Sequence, residues 1–271
     1  METLKNHLIL FDADCPMCNL YTQAFVSTGL LEQKRRAAYQ TLAADACPLV
    51  DRQRAVNEIA LINQQTGEVT YGIKSLFKII GNAMPVFRPL FNFAPFVWLM
   101  SKVYAFISYN RRVIIPTAGD GFAIQPTFKL RYRLAYLLFA WVITAYILTQ
   151  YVHLLQGVLP VGNAWREYLI CGGQIFFQGV VISFIAKPKK WEYLGNMMTI
   201  SLAGALLLLP GVLLAGVIGA QPVLYAAYFM LVAGLMFLEH IRRSKILHIG
   251  WGLTISWAIY RAVILLVILF S

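Results

Sequence analysis

Five long apolar segments occupy the second half of this sequence, and they constrain the fold more than any other feature. We place them at residues 134–155, 168–186, 194–220, 223–238 and 246–270, of which the fourth is the shortest. Each approaches the roughly 20 residues that an α-helix needs to cross the hydrocarbon core of a bilayer. Since 59% of all residues are hydrophobic and 13% are charged, the sequence predicts an integral membrane protein.

The charged residues concentrate ahead of these segments. Residues 1–133 contain 15 of the 23 Lys and Arg residues and 9 of the 12 Asp and Glu residues. We therefore predict a polar N-terminal domain at 1–115, a linker and basic juxtamembrane segment at 116–133, and a transmembrane helical domain at 134–271. In the second half, six of the eight basic residues fall in two short loops, so the net positive charge indicates membrane topology and not a nucleic-acid partner.

The loop charges also predict an orientation. Nine basic residues flank the apolar segments on one side, whereas Arg166 lies on the other; the nine are Lys129, Arg131, Arg133, Lys187, Lys189, Lys190, Arg242, Arg243 and Lys245. The positive-inside rule places the N-terminus inside and the C-terminus outside. The opening "METLKNHLILF" has an apolar run of four residues, 8–11, shorter than the roughly 7 to 15 of a secretory signal. We expect the polar domain to stay in the cytoplasm.

The polar domain begins with a strand, a C-x-x-C pair and a helix. "HLILF" (7–11) is typical of a strand, and Pro16 suits the first turn of a following helix. "AAYQTL" and "EIALINQQTGEVTYG" predict further strands, the latter a hairpin turning at 65–67. A helix is expected over 73–81. A second helix over 96–107, with an apolar face formed by Phe96, Leu99, Met100, Val103, Phe106 and Ile107, either packs on the sheet, which we favour, or lies in the membrane interface.

The cysteine spacing indicates redox chemistry. Cys15, at the exposed end of the helix, receives the partial positive charge of the helix terminus, which favours its thiolate as the nucleophile. Cys18, one turn inside, would close the disulfide and release the partner. The negative charges of Asp12 and Asp14 disfavour the thiolate, so we expect a less acidic thiol than in a strong oxidant. In a reducing cytosol, such a thiol is suited to a reductant, or to a sensor that is oxidised transiently.

Other interpretations of these residues remain open. Asp14 is either the helix N-cap or a proton shuttle for the resolving thiol, and Asp12 either shares in catalysis or holds the loop through backbone hydrogen bonds. The cysteines could be inert buried thiols. A zinc site is disfavoured because it needs four ligands and the polar domain offers Cys47 and His7 besides the pair. Cys47 is interpreted as a bystander or a third exchanging thiol.

Two segments carry a family resemblance. "DADCPMC" resembles the D-x-D-C-P-x-C motif of the DCC family of predicted thiol-disulfide oxidoreductases, and "VYAFISYNRRVIIP" resembles the Y-x-x-x-x-x-N-R segment that ends that domain. The resemblance covers residues 7 to about 116 and implies a thioredoxin-like fold with Cys15 and Cys18 as the redox pair. Ala13 stands where the family usually has Gly. No Pro precedes "EIALIN" within seven residues, where a thioredoxin fold normally presents a cis-proline.

Several further residues have both a functional and a structural interpretation. Arg111 or Arg112 could be functional, but we favour contact with lipid headgroups or the helix end.

Arg261, inside the last apolar segment, could centre a site for a quinone, lipid headgroup or anion, although helix packing is favoured. The other polar candidates in or near the spans are His153, Gln174, Gln178, Glu239, His240 and His248. Pro210 should kink or split the third segment, and Cys171 beside two glycines indicates close helix packing.

The sequence as a whole predicts an α/β thioredoxin-like domain followed by an all-α domain of about five transmembrane helices. Its predicted activity is thiol-disulfide exchange at the cytoplasmic face of the membrane, with a protein or small-molecule thiol or disulfide as partner and the lipid bilayer as anchor. No cofactor is predicted, because Gly-rich phosphate loops and dinucleotide fingerprints are missing from the sequence. The alternatives are a transporter or a lipid-binding or quinone-binding membrane protein with a redox-regulated or inert module, and a non-enzymatic adaptor.

The loop charges make the topology testable. Cysteine labelling in intact cells and reporter fusions should find residue 60 on the cytoplasmic side and Ser271 on the opposite side, because nine of ten loop charges share one face. A cytoplasmic Ser271 would show that one apolar segment, 223–238 or the Pro210-containing 194–220, does not cross the membrane as a single helix.

Overall fold

A computed structural model describes residues 2–41, 50–116 and 126–270 of the protein. The chain divides into two compact units, Met1–Tyr132 and Arg133–Ser271. The predicted bystander Cys47, part of the predicted linker and the terminal Ser271 lie outside the described residues.

A four-stranded mixed sheet forms the centre of the first unit. Its strands are β1 (His7–Phe11), β2 (Arg36–Ala38), β3 (Ala60–Asn63) and β4 (Val69–Tyr71), in the order β2-β1-β3-β4. β1 runs parallel to β2 and antiparallel to β3, and β3 pairs antiparallel with β4. The predicted first strand and hairpin are thereby confirmed. The "AAYQTL" strand prediction was wrong beyond Ala38, because the chain there enters a 3₁₀ turn at Tyr39–Thr41 that brings Gln40 to Asp12.

Helices pack on both faces of this sheet. They are α1 (Pro16–Ser27), α2 (Arg52–Asn57), α3 (Ile73–Ala83), α4 (Arg88–Asn92) and α5 (Ala94–Ile114). Ile9 of β1 is fully buried in a cluster with Leu61 and Ile79, to which α1, α3 and α5 contribute. The next residue, Leu10, points to the opposite face and packs with Ala55 of α2, as the alternation of side chains along a strand requires.

α5 packs on the sheet domain through a face that the sequence did not predict. The Tyr104 hydroxyl accepts a hydrogen bond from the Ile59 N–H at 3.1 Å, and Ser108 donates to the Asn57 carbonyl. On the predicted apolar face, Leu99 and Val103 are instead 53% and 41% exposed. The favoured packing of this face on the sheet was wrong, because side-chain hydrogen bonds to the backbone orient the helix with another face inward. The alternative, that the apolar face lies in the membrane interface, stays a prediction. The preceding segment Pro85–Asn92 is bent by 88° from α5. Taken together, the segment and α5 are long and apolar enough to cross a membrane.

The second unit contains five helices long and apolar enough to cross a membrane. They are α6 (Leu130–Val152), α7 (Arg166–Ile185), α8 (Lys190–Ile218), α9 (Pro222–Ile246) and α10 (Gly252–Phe270). The five predicted spans are confirmed as helices. The fourth, α9, was predicted to be the shortest but has 25 residues, whereas α10 has 19.

Pro210 does not divide α8 into two half-helices, so that alternative was wrong. The helix continues through the proline to Ile218, although proline removes a backbone donor. Leu208 and Gly211 on either side are buried, and a Cβ atom at Gly211 would lie 3.0 Å from the Tyr151 ring. Packing against neighbouring helices therefore holds the segment in one helix.

Polar side chains join the helices of this unit. The Tyr193 hydroxyl donates to Gln178 Oε1 at 2.8 Å, and Ser256 donates to the same oxygen at 3.2 Å. His240, also buried, lies with its Nε2 3.2 Å from the Tyr193 hydroxyl and its Nδ1 3.0 Å from the Thr254 hydroxyl. Gln178 and His240 thus serve helix packing, since buried polar groups within a bilayer need such partners.

Cys171 is buried within α7, and its glycine neighbours leave little space. A Cβ atom at Gly172 would lie 3.0 Å from Trp141, and one at Gly173 would lie 2.7 Å from the Tyr260 hydroxyl. The close helix packing that the sequence predicted around Cys171 is confirmed.

Candidate functional site

The candidate site forms where β1 ends and α1 begins. Pro16 is the first residue of α1, and Cys15 is its N-cap with extended backbone angles of φ −95° and ψ 105°. This geometry follows from the sequence, because the residue before a proline is restricted to extended conformations and proline itself fits the first helical position. The C-x-x-C pair is thereby fixed at the helix N-terminus.

The prediction that Asp14 caps this helix was wrong. With Pro16 at the first helical position, the cap falls on Cys15, and the Cys15 sulfur accepts the hydrogen bond from the Cys18 N–H at 3.3 Å. Asp14 precedes the cap by one residue, and its own N–H donates to Asp12 Oδ1 at 3.1 Å. Its role as a proton shuttle stays a prediction.

The two thiols differ in their ionisation. Both are reduced and buried, and they pack with Phe11, Met17 and Tyr21. The hydrogen bond from the Cys18 thiol, with help from the Arg111 charge, lowers the pKa of Cys15 to about 7 against the opposing effect of burial. The same hydrogen bond, together with burial, raises the pKa of Cys18 far above its ordinary value. Of the two thiols, Cys15 is therefore the one that ionises more readily in the reduced pair.

Cys15 agrees with one expectation from the sequence and contradicts another. Its pKa of about 7 makes it less acidic than the thiol of a strong oxidant, whose pKa is about 3.5. Asp12 raises the pKa of Cys15, but by less than the Cys18 hydrogen bonds and Arg111 lower it. The expectation that Cys15 lies exposed was wrong, because its exposure is 3%. The exposed residues at this junction are its neighbours Ala13 and Pro16.

Asp12 is the most connected residue of the site. Its carboxylate is buried, and Oδ1 accepts hydrogen bonds from Gln40 Nε2 at 2.7 Å and from the Asp14 N–H. Oδ2 lies 2.5 Å from Arg111 Nη2, and the Asp12 carbonyl accepts the Cys15 N–H at 3.1 Å. Asp12 therefore holds the loop, which is one of the two roles that the sequence left open, and a share in catalysis stays a prediction.

Arg111 is the residue that sequence reasoning misplaced. It was expected at the membrane surface or the helix end, but its side chain is buried beside Asp12. Its Nη2 also donates to the Val56 carbonyl at 2.7 Å. The signal in the sequence was the spacing of Tyr104, Ser108 and Arg111, which places three hydrogen-bonding side chains on one helical face. The guanidinium compensates the Asp12 charge and favours a thiolate at Cys15.

Comparison of the chain with protein-family models, with curated proteins and with solved structures finds no match. Among the described residues, no three His, Cys, Asp or Glu side chains come together as candidate metal ligands. The geometry of the cysteine pair is therefore the feature of this protein that points to a function.

Replacing Arg111 with Gln should raise the pKa of Cys15 above about 7, because the variant loses the cation that favours the thiolate. The measurement is the pH dependence of iodoacetamide modification of Cys15, read by peptide mass spectrometry. Arg54→Gln, which removes an exposed arginine paired with Glu58, is the matched control and should leave the midpoint unchanged.

The same variant leaves the Asp12 carboxylate buried without its closest cation, which should destabilise the first unit by about 3–5 kcal/mol. Asp12→Asn combined with Arg111→Gln removes both charges and should recover part of that loss. An Arg111→Gln protein that keeps the wild-type midpoint for Cys15 would contradict the role of the arginine in thiolate stabilisation.

Proposed function

We propose that this protein is a membrane-anchored thiol-disulfide oxidoreductase that acts through Cys15 and Cys18. The observation that carries the proposal is the position of the pair at one helix N-terminus, where the Cys15 sulfur accepts the Cys18 N–H at 3.3 Å. The lowered pKa of Cys15 and the raised pKa of Cys18 agree with this arrangement. A nucleophile that ionises near neutral pH beside a protonated resolving thiol is what dithiol exchange requires. The resemblance to the DCC family and its thioredoxin-like domain supports the same activity.

The reaction divides into two sulfur exchanges. The Cys15 thiolate attacks one sulfur of a partner disulfide, and the other partner sulfur leaves with the electron pair and takes up a proton. The Cys18 thiol then loses its proton and attacks the Cys15 sulfur of the mixed disulfide, which releases the second partner thiol. Cys15 and Cys18 end as a disulfide, oxidised by two electrons, and the partner disulfide is reduced. A thiol reductant restores the pair by the reverse steps.

The hydrogen bond between the two cysteines links these steps. In the reduced pair the Cys18 thiol stabilises the Cys15 thiolate, which raises its own pKa. When Cys15 becomes part of a mixed disulfide, its negative charge disappears, and so does this cause of the raised pKa of Cys18. Arg111 lowers the pKa of Cys18 as well. The resolving thiol therefore becomes easier to ionise when it is needed.

Burial of both sulfurs limits which partners react. With Cys15 3% exposed and Cys18 4% exposed, a disulfide must approach through the loop where Ala13 and Pro16 are exposed, and the loop must open to admit its sulfur. We place this reaction at the cytoplasmic face of the membrane, on the basis of the loop charges. The transmembrane helices hold the redox domain close to partners at that surface.

The assigned roles predict different trapping by the two single-cysteine variants. Cys18→Ala should accumulate mixed disulfides with partners through Cys15, because no resolving thiol releases them, whereas Cys15→Ala should trap none. Non-reducing gels of full-length protein from cells quenched in acid, with mass spectrometry of the shifted bands, provide the readout. Equal trapping by both variants would overturn the order of attack, and absence of trapping by Cys18→Ala would overturn the proposed function.

Cys171 should take no part in this exchange. It is buried in α7 among closely packed neighbours, and a thiol relay needs a second dithiol within reach of the first. Replacing Cys171 with Ala should leave the in-cell redox state of Cys15 and Cys18 unchanged, as measured by sequential alkylation and mass spectrometry. A pair locked fully oxidised or fully reduced in that variant would show that Cys171 belongs to the electron path.

A further inference from the structure

A cavity inside the membrane unit has an arginine in its wall. Its volume is about 270 Å³, and α6, α7, α9 and α10 all contribute to its lining. Most of the lining is apolar, including Leu148, Ile170, Phe229 and Leu265, and the polar residues are Tyr151, Arg166, Glu167, Trp257 and Arg261. The cavity therefore combines an apolar body with a small number of charged groups, which is typical of a ligand site.

The charges in this wall do not balance. Arg166 Nε lies 2.8 Å from Glu167 Oε1, so these two compensate each other. Arg261 makes neither a hydrogen bond nor an ion pair within the described residues, and its Nε is fully buried without a partner. Its guanidinium lies over the Trp257 ring at 5.5 Å, a contact that stabilises a cation without neutralising it. One positive charge is left uncompensated at the cavity.

An uncompensated guanidinium at this depth in a membrane helix is costly. Arginine does not lose its proton in proteins, so it cannot avoid the cost by becoming neutral. The planar guanidinium is suited to bind the oxygens of a carboxylate or phosphate with two hydrogen bonds. The group that would satisfy Arg261 is therefore an anionic oxygen acid.

The surroundings of Arg261 restrict that anion further. Met230 and Leu265 line the cavity and are also 64% and 42% exposed on the outside of α9 and α10. Since exposed apolar residues of spanning helices face lipid, the cavity has access from the bilayer. A small hydrophilic anion would lose its hydration in this cavity without burying any apolar surface. An amphiphile would instead bury its chain against the apolar lining, which is favourable.

We propose that this cavity binds an anionic amphiphile, an acyl chain carrying one carboxylate or phosphate group, with the headgroup on Arg261 and the chain along α9 and α10. This site is separate from the cysteine pair and does not depend on the proposed redox function. The headgroup could belong to a free fatty acid or to an anionic phospholipid, which share the chemistry that Arg261 recognises.

The test uses the purified full-length protein in detergent micelles and three probes with the same photoreactive acyl chain. They are a fatty acid, a phosphatidylglycerol and the neutral fatty alcohol. After illumination, mass spectrometry should find one or both anionic probes on peptides of α9 and α10, and the alcohol should label them about tenfold less, as expected for loss of a charge-assisted hydrogen bond. Labelling by the fatty acid alone identifies a free carboxylate, and labelling by phosphatidylglycerol alone identifies a membrane lipid.

Variants make the proposal specific to Arg261. Arg261→Gln should lower labelling by the anionic probes about tenfold, whereas Arg242→Gln, an exposed arginine paired with Glu239 and outside the cavity, should leave labelling unchanged. Ala233→Leu narrows the cavity while keeping its charge and should also lower labelling, so the test does not depend on the folding of one variant. Equal labelling of wild type, Arg261→Gln and Ala233→Leu, equal labelling by the alcohol, or no labelling by any probe would overturn the proposal.

Discussion

The buried pair of Asp12 and Arg111 is the interaction on which the cysteine site depends. It joins the end of the first strand to the end of the last helix of the first unit, 99 residues apart in sequence. A buried ion pair is poor evidence for stability by itself, because desolvation offsets much of the attraction. Here both partners make additional hydrogen bonds, to Gln40 and the loop N–H on one side and to the Val56 carbonyl on the other. The pair therefore gives the loop one defined position, and it places a cation near the sulfurs.

Local chemistry explains which parts of the fold the sequence could predict. Residues 7–11, the hairpin turn at 65–67 and the start of α1 at Pro16 depend on near neighbours, and the structure has each of them as expected. The long apolar helices were predictable because the bilayer sets their length. The contact between Asp12 and Arg111 depends on how distant segments pack, which no local pattern contains. The packing of the apolar face of α5 on the sheet failed as a prediction for the same reason, since hydrogen bonds to the sheet domain determine which face of the helix is buried.

The membrane unit shows two different uses of polar side chains. Gln178 through its Oε1, Tyr193 and His240 hydrogen-bond to one another and, with Thr254, join four helices into a defined packing. Arg261, by contrast, has a cavity beside it and makes neither a hydrogen bond nor an ion pair within the described part of the chain. From the sequence, Gln178 and Arg261 are both polar residues within predicted spans. They differ in their hydrogen-bond partners, which depend on how the helices pack together.

The capping of α1 by a sulfur atom ties the redox state of the pair to the stability of the helix terminus. In the reduced form, the Cys15 sulfur accepts the Cys18 amide hydrogen bond at 3.3 Å. A side-chain cap contributes about 1 kcal/mol, and for a two-electron couple this corresponds to a shift of roughly 20 mV in reduction potential. Because a neutral disulfide sulfur is a weaker acceptor than a thiolate, the cap favours the reduced pair and makes the couple more oxidising. Hydrogen exchange at a single backbone amide, that of Cys18, would then report the oxidation state of the whole domain.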